Sequence, residues 1–86
     1  MRVLFHKTFE KQYKSLRSAE KKKFLERIKT FVTDPFAPVL NNHPLKGKYQ
    51  GYRSINITGD VRAIYELIGE ATAYFVAVDT HSNLYS

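Results

Sequence analysis

The sequence predicts a small α+β domain: an N-terminal strand, a helical hairpin, a three-stranded antiparallel meander and a short C-terminal tail. Three observations predict it. Apolar residues recur at i, i+4, i+7 in two stretches of the first half, Phe9/Tyr13/Leu16 and Phe24/Ile28/Phe31, the spacing of one helical face. Three β-prone runs follow in the second half, YRSINI, VRAIYELI and TAYFVAVD, joined by turns short enough to demand antiparallel neighbours. Eighty-six residues make one domain, spanning 1–86. A chain of this size buries roughly 60–70% of the surface its unfolded form exposes, enough for one core.

Taken in order, residues 2–5, RVLF, are short, apolar and β-prone, and read as the first strand. Thr8 is the expected N-cap of the first helix, with Glu10 in the turn that favours an acid. Lys7, Lys11 and Lys14 lie off the apolar stripe, towards water. Ser18 is the expected cap of the second helix, where Leu25 and Val32 widen the stripe. That helix must end near Thr33, because Pro35 disfavours helical geometry at Asp34. Two helices so closely joined form an antiparallel hairpin whose stripes need a sheet to cover.

The segment DPFAPVLNNHPLKGKYQG holds three prolines, two glycines and two asparagines in eighteen residues and reads as a long ordered loop. Loops of this length in a compact domain are often functional. Gly51 opens the meander, Thr58-Gly59-Asp60 makes its first turn and Gly69-Glu70 its second. In the middle strand Val61, Ala63, Tyr65 and Leu67 share one face, and Arg62, Ile64, Glu66 and Ile68 the other. Charges and isoleucines on one face fit a two-sided sheet, with helices behind it and a working surface in front.

Composition narrows the function. Fourteen Lys and Arg against eight Asp and Glu leave a net charge of +6, which favours polyanionic partners. No apolar run approaches the ~20 residues of a spanning helix, and MRVLFHKTFEK does not read as a signal peptide. With no cysteine, thiolate metal sites and a Cys nucleophile are excluded. His6, His43 and His81 lack zinc-ligand spacing, so no zinc site is expected. A cytoplasmic location fits this composition.

The chemistry-bearing residues gather in NHPLKGKYQGYRSINITGDVRAIY, residues 42–65, and in the ending DTHSNLYS. Arg53 and Arg62 fall on neighbouring strands, Asp60 beside the turn between them, and His43 and His81 at either end. Guanidinium forks match phosphate oxygens, and an imidazole titrates near neutrality. Together they read as a basic site for RNA phosphate. Each arginine could instead pair with Glu66, Asp79 or Asp60. Asp60 could be a turn residue or a brace for Arg62.

The pattern GYRSINITGDVRAIYEL resembles the strand pair of the RelE/ParE toxin superfamily, and the flanking HPLKG and THSNLYS look like its YafQ branch. The detailed likeness covers residues 42–86. The resemblance implies a RelE-like fold and a bacterial type II toxin: a ribosome-dependent mRNA endonuclease that needs no metal and no cofactor. In such toxins the 2′-OH attacks the adjacent phosphorus. By likeness His81, His43 and Asp60 would be catalytic with Arg62, while Arg53, Tyr85, Asn56 and Lys46 would bind the message. Lys11, Lys14, Lys21, Lys22, Lys23 and Arg27 form either a solvated helix face or a grip on ribosomal RNA.

Two positions depart from the YafQ pattern: Asn56 replaces a histidine, and Val61 an aromatic residue. Asparagine cannot serve as a proton-transfer base. A shared fold keeps a ParE-like inhibitor of DNA gyrase open as a second reading, and the departures keep open a third, a family member that acts by binding alone. In the two toxin readings a cognate antitoxin is the expected partner, beside ribosome and mRNA in the first. No membrane is expected, and the sequence does not speak to homo-oligomers.

Overall fold

The computed structural model describes residues 1–85. Five strands form one sheet: β1 (Arg2–Phe5), β2 (His43–Pro44), β3 (Arg53–Asn56), β4 (Val61–Ile68) and β5 (Thr72–Thr80), in the order β1-β5-β4-β3-β2. The meander β3-β4-β5 is antiparallel as expected, and β1 pairs parallel with β5, from Arg2 opposite Thr72 to Phe5 opposite Phe75. The helices are α1 (Lys7–Lys14), α2 (Ser18–Thr33) and α3 (His81–Tyr85). The predicted strand, hairpin and meander are all present.

Local chemistry corrects the expected boundaries. Thr8 does not cap α1; His6 does, its Nδ1 accepting the Thr8 backbone N–H at 3.0 Å. Ser18 is likewise inside α2. Arg17 takes the cap position, and its backbone N–H donates to Glu20 Oε1 at 2.9 Å. The expected loop is partly regular: two short 3₁₀ turns (Pro38–Leu40 and Gly47–Tyr49) flank β2, which pairs with β3. A two-residue strand carries no periodicity, so no sequence pattern announces it. The C-terminal tail coils into α3. Thr80 caps it, its Oγ1 accepting the Asn83 N–H at 3.2 Å.

The main core lies between the hairpin and one face of the sheet. Phe9, Phe24 and Phe31 meet Ile55, Val61, Ala63, Tyr65, Phe75 and Val78 there. Phe75 sits among Phe5, Phe9, Phe24, Phe31 and Tyr65, with ring centroids 5.2–6.4 Å apart, the spacing of tilted and edge-to-face pairs. Leu25 and Val32, expected to widen the α2 stripe into the core, remain exposed beside an open apolar groove that Phe5 also lines. On the opposite face, Ile64, Ala77 and Leu84 make a second, smaller core under α3, with Leu45, Tyr49 and Tyr52 packed against it.

A polar brace ties the loop to the main core. Asn42 Nδ2 donates to the Tyr65 hydroxyl at 2.7 Å and to the Pro35 carbonyl at 2.8 Å. Its Oδ1 accepts from Arg53 Nε at 2.8 Å. Tyr65 is almost fully buried, so its hydroxyl has little recourse to bulk water. Losing a partner of a buried polar group costs about 1–3 kcal/mol. Asn42→Ala is therefore expected to lower unfolding stability by about that amount, read as a lower urea midpoint at constant slope. An unshifted midpoint would show that the brace adds nothing.

Candidate functional site

The cleft lies on the face of the sheet away from the α1–α2 hairpin. Alternation along β3 and β4 sends Ile55, Ala63 and Tyr65 to the main core. Ser54, Asn56, Arg62 and Ile64 project the other way, with Ser54 opposite Ile64 and Asn56 opposite Arg62. The loop and α3 wall this surface. The result is a cleft of about 330 Å³ lined by Asn41, His43, Leu45, Ser54, Arg62, His81 and Tyr85.

Four residues singled out from sequence meet here: His43, Arg62, His81 and Tyr85. His43 is held by β2, opposite Ser54, and its Nδ1 lies 2.8 Å from the Asn41 carbonyl. A carbonyl only accepts, so Nδ1 carries the proton, and whenever the ring is neutral its lone pair lies at Nε2. Asn41 reaches this position through a left-handed turn, φ 45°, a conformation asparagine tolerates better than most residues. Arg62 is half-buried. Its Nη1 donates to the Thr58 carbonyl at 3.0 Å and to that of Val61 at 3.3 Å, which fixes the guanidinium against the turn. Its other nitrogens have no protein partner among the described residues.

His81 opens α3, anchored by its backbone N–H to the Asp60 carbonyl at 2.8 Å. Its exposed ring rests 4.7 Å from that of Tyr85, one helical turn on. The helix is held at the sheet by Asp79, whose Oδ1 accepts from Thr80 N and Asn83 Nδ2 at 2.7 and 3.1 Å. Asp60 contributes this main-chain carbonyl; its side chain is exposed and does not line the cleft. The alternative of a salt bridge from Arg53 or Arg62 to Glu66, Asp79 or Asp60 does not form among the described residues. Among the described residues the one ion pair is Lys23–Glu26, 3.3 Å.

Arg53 is not brought to the cleft. It leaves β3 on the helix side, bonded to Asn42 with its guanidinium 5.2 Å from the Phe36 ring centre. Lys46 is exposed in the loop and Asn56 stands beside Arg62, neither of them lining the cleft. Lys11 and Lys14 on α1, and Lys21, Lys22, Lys23 and Arg27 on α2, belong to the layer covering the other face of the sheet. Two of these are engaged locally: Lys21 lies 5.9 Å from the Tyr13 ring, and Lys23 pairs with Glu26. No three His, Asp or Glu side chains converge as metal ligands do, among the described residues.

Sequence reasoning missed Ser54. It is fully buried at the floor of the cleft, and its Oγ has no hydrogen-bond partner. Asn56 Oδ1 beside Arg62 is also buried and unpaired. Native proteins leave few buried polar atoms unsatisfied. A signal for Ser54 existed in part, as the small polar residue between Arg53 and Ile55 on a strand facing two ways. A partnerless hydroxyl adds nothing to stability, so Ser54→Ala should leave the melting temperature unchanged or raise it. A loss worth more than about 1 kcal/mol would mean the hydroxyl has a stabilising partner.

Comparison with known proteins places this fold among small bacterial toxins of the RelE/ParE type. YafQ from E. coli BL21(DE3) superposes with a TM-score of 0.82 at 22% identity, over all of both chains. A YoeB/ParE toxin from Agrobacterium tumefaciens gives 0.77 at 24% identity, over 94% of this chain and 99% of that one. The toxin in the E. coli DinJ–YafQ toxin–antitoxin complex gives 0.74 at 26%, over 98% and 96%. No curated protein matches. The chain belongs to the family described as the bacterial toxin of the type II toxin–antitoxin system, YafQ, which it matches over residues 1–86. Among the described residues no helix is long and apolar enough to cross a membrane.

Proposed function

We infer that this toxin is a metal-independent endoribonuclease that cuts messenger RNA on the ribosome. The observation that carries this reading is the meeting of His43, Arg62 and His81 around one cleft whose floor holds the unpaired Ser54 hydroxyl. Cleavage by the 2′-OH needs a base for its proton, an acid for the leaving 5′-oxygen, and charge stabilisation on the phosphorane between them. His43 suits the base, because its Asn41 bond directs the free lone pair to Nε2. His81 suits the acid, at the cleft wall on a short helix. Arg62, with the free part of its fork at the cleft, suits the phosphorane oxygens.

In this scheme the 2′-oxygen bonds to phosphorus as the bond to the 5′-oxygen breaks. His43 takes the first proton and His81 supplies the second. The products are a 2′,3′-cyclic phosphate and a 5′-OH, with no change in oxidation state. Tyr85, in the cleft wall, suits stacking on a base of the message. Asn56 then need not transfer protons, because two imidazoles already do. Asp60 serves by holding His81 through its carbonyl. The cations of α1 and α2 are left to attract ribosomal RNA. The partner that restrains the protein is a cognate antitoxin, as in the DinJ–YafQ complex.

Primer extension on a defined message in a purified bacterial translation system tests this. Wild type should cut only when ribosomes are present. His81→Ala and His43→Ala should each lose about 10²–10⁴-fold in rate, with melting unchanged. Arg62→Ala should lose about 10²–10³-fold in rate and also bind RNA less tightly. Arg53→Ala should instead cost stability. An intact message with wild-type protein would remove the nuclease reading, and full cutting by folded His81→Ala would remove this site.

A further inference from the structure

A second hollow lies beside the first, on the same face of the sheet. It has a volume of about 450 Å³, with Tyr49, Tyr52 and Tyr74 in its wall and His6, Lys48 and Glu66 as polar groups around it. None of these takes part in the cutting step. Aromatic rings join the two depressions without a break. His81 meets Tyr85 at 4.7 Å, Tyr85 meets Tyr49 edge-on at 5.9 Å, and Tyr49 meets Tyr52 at 6.4 Å. Tyr74 and His6, 5.8 Å apart, belong to the same hollow.

Its polar groups are complementary in kind. Glu66 sits on β4 opposite Tyr74. It is half-buried, and its carboxylate has neither an ion pair nor a hydrogen bond among the described residues. An ionised carboxylate is acceptor-only. His6 spends Nδ1 on the Thr8 N–H, so the neutral ring keeps its proton on Nε2, a donor. Lys48 Nζ lies 5.3 Å from the centre of the Tyr49 ring and adds a cation at the rim. Ring faces for stacking, an acceptor for a base edge and a cation for phosphate are what an unstacked nucleotide demands.

The lone carboxylate narrows the choice of base. Two carboxylate oxygens side by side accept best from two adjacent donors. Guanine offers a ring imino N–H beside an exocyclic amine. Adenine and cytosine offer an amine without the imino proton, and uracil the imino proton without an amine. We propose that this hollow is a nucleobase subsite that takes a guanine flanking the cut, stacked on tyrosine and read by Glu66. Its role in choosing the cut site rests on the endoribonuclease reading; its ability to bind the base does not.

The test has two arms. In the first, single-stranded trinucleotides carrying guanine, inosine or adenine at one position are titrated into the protein and followed by NMR. The guanine ligand should shift Tyr52, Tyr74 and Glu66 resonances. Inosine, which lacks the exocyclic amine, should bind at least about fivefold more weakly, and Glu66→Gln should abolish that difference. In the second arm, cut sites are mapped across many messages. Wild type should show guanine enriched at one fixed offset from the cut, and Glu66→Gln should lose the enrichment. Equal binding of the three trinucleotides, or shifts confined to other residues, would overturn the subsite. Guanine-selective binding by a protein that cuts nothing would uphold the subsite and overturn the nuclease reading.

Discussion

Between Ile64 and Tyr65 the neighbouring strand carries one residue too many. Tyr65 pairs with Phe75 and Ile64 with Ala77, so Val76 and Ala77 together face a single partner. A bulge of this kind reverses the alternation beyond it. Before it, Ala73 and Phe75 point into the main core; after it, Val78 does. Strict alternation from Phe75 would have put Ala77 and Asp79 there instead. The reversal returns Asp79 to the cleft side, where it fastens the start of α3, and so brings His81 to the cleft. The position of one candidate catalytic group thus depends on a single extra residue, locked by the aromatic packing around Phe75.

The same two-sidedness divides the arginines. Arg53 and Arg62 are equivalent by composition and by their places on adjacent strands, yet they lie on opposite faces. Arg53 is drawn into the brace with Asn42 and Tyr65 and packs on Phe36. Arg62 is tied to the turn by one nitrogen and turns the rest of its fork to the cleft. The hydroxyl of Ser54 and the carbonyl oxygen of Asn56 stay unpaired on the same side as Arg62. Unpaired polar atoms cost folding energy, and their concentration on one face is the pattern expected where a polar ligand completes the hydrogen bonding.

Charge is distributed on a coarser scale. The lysines of α1 and α2 ride the layer behind the sheet, away from the cleft. A field of that kind acts over a Debye length and needs no contact with the reacting atoms. The cleft itself has one arginine and two imidazoles. The cationic helices and the cleft therefore stand on different faces of one small sheet.

Much of this was legible in the sequence. The helical stripes at Phe9/Tyr13 and Phe24/Ile28/Phe31, the turn at Thr58–Asp60 and the limits of β4 follow from periodicity and turn chemistry, which are local. His43, Arg62, His81 and Tyr85, singled out through the short motifs HPL, D-x-R and THSNLY, do line one cleft. What the sequence could not give was the side on which each residue would stand. TAYFVAVDT is apolar on both faces, so no alternation marks the bulge; β2 is too short to have a period; Arg53 and Arg62 read alike. Those choices were made by packing. Only when the hairpin covers one face and α3 the other does each side chain acquire an inside and an outside, because burial is a property of contacts between distant segments and not of any one of them.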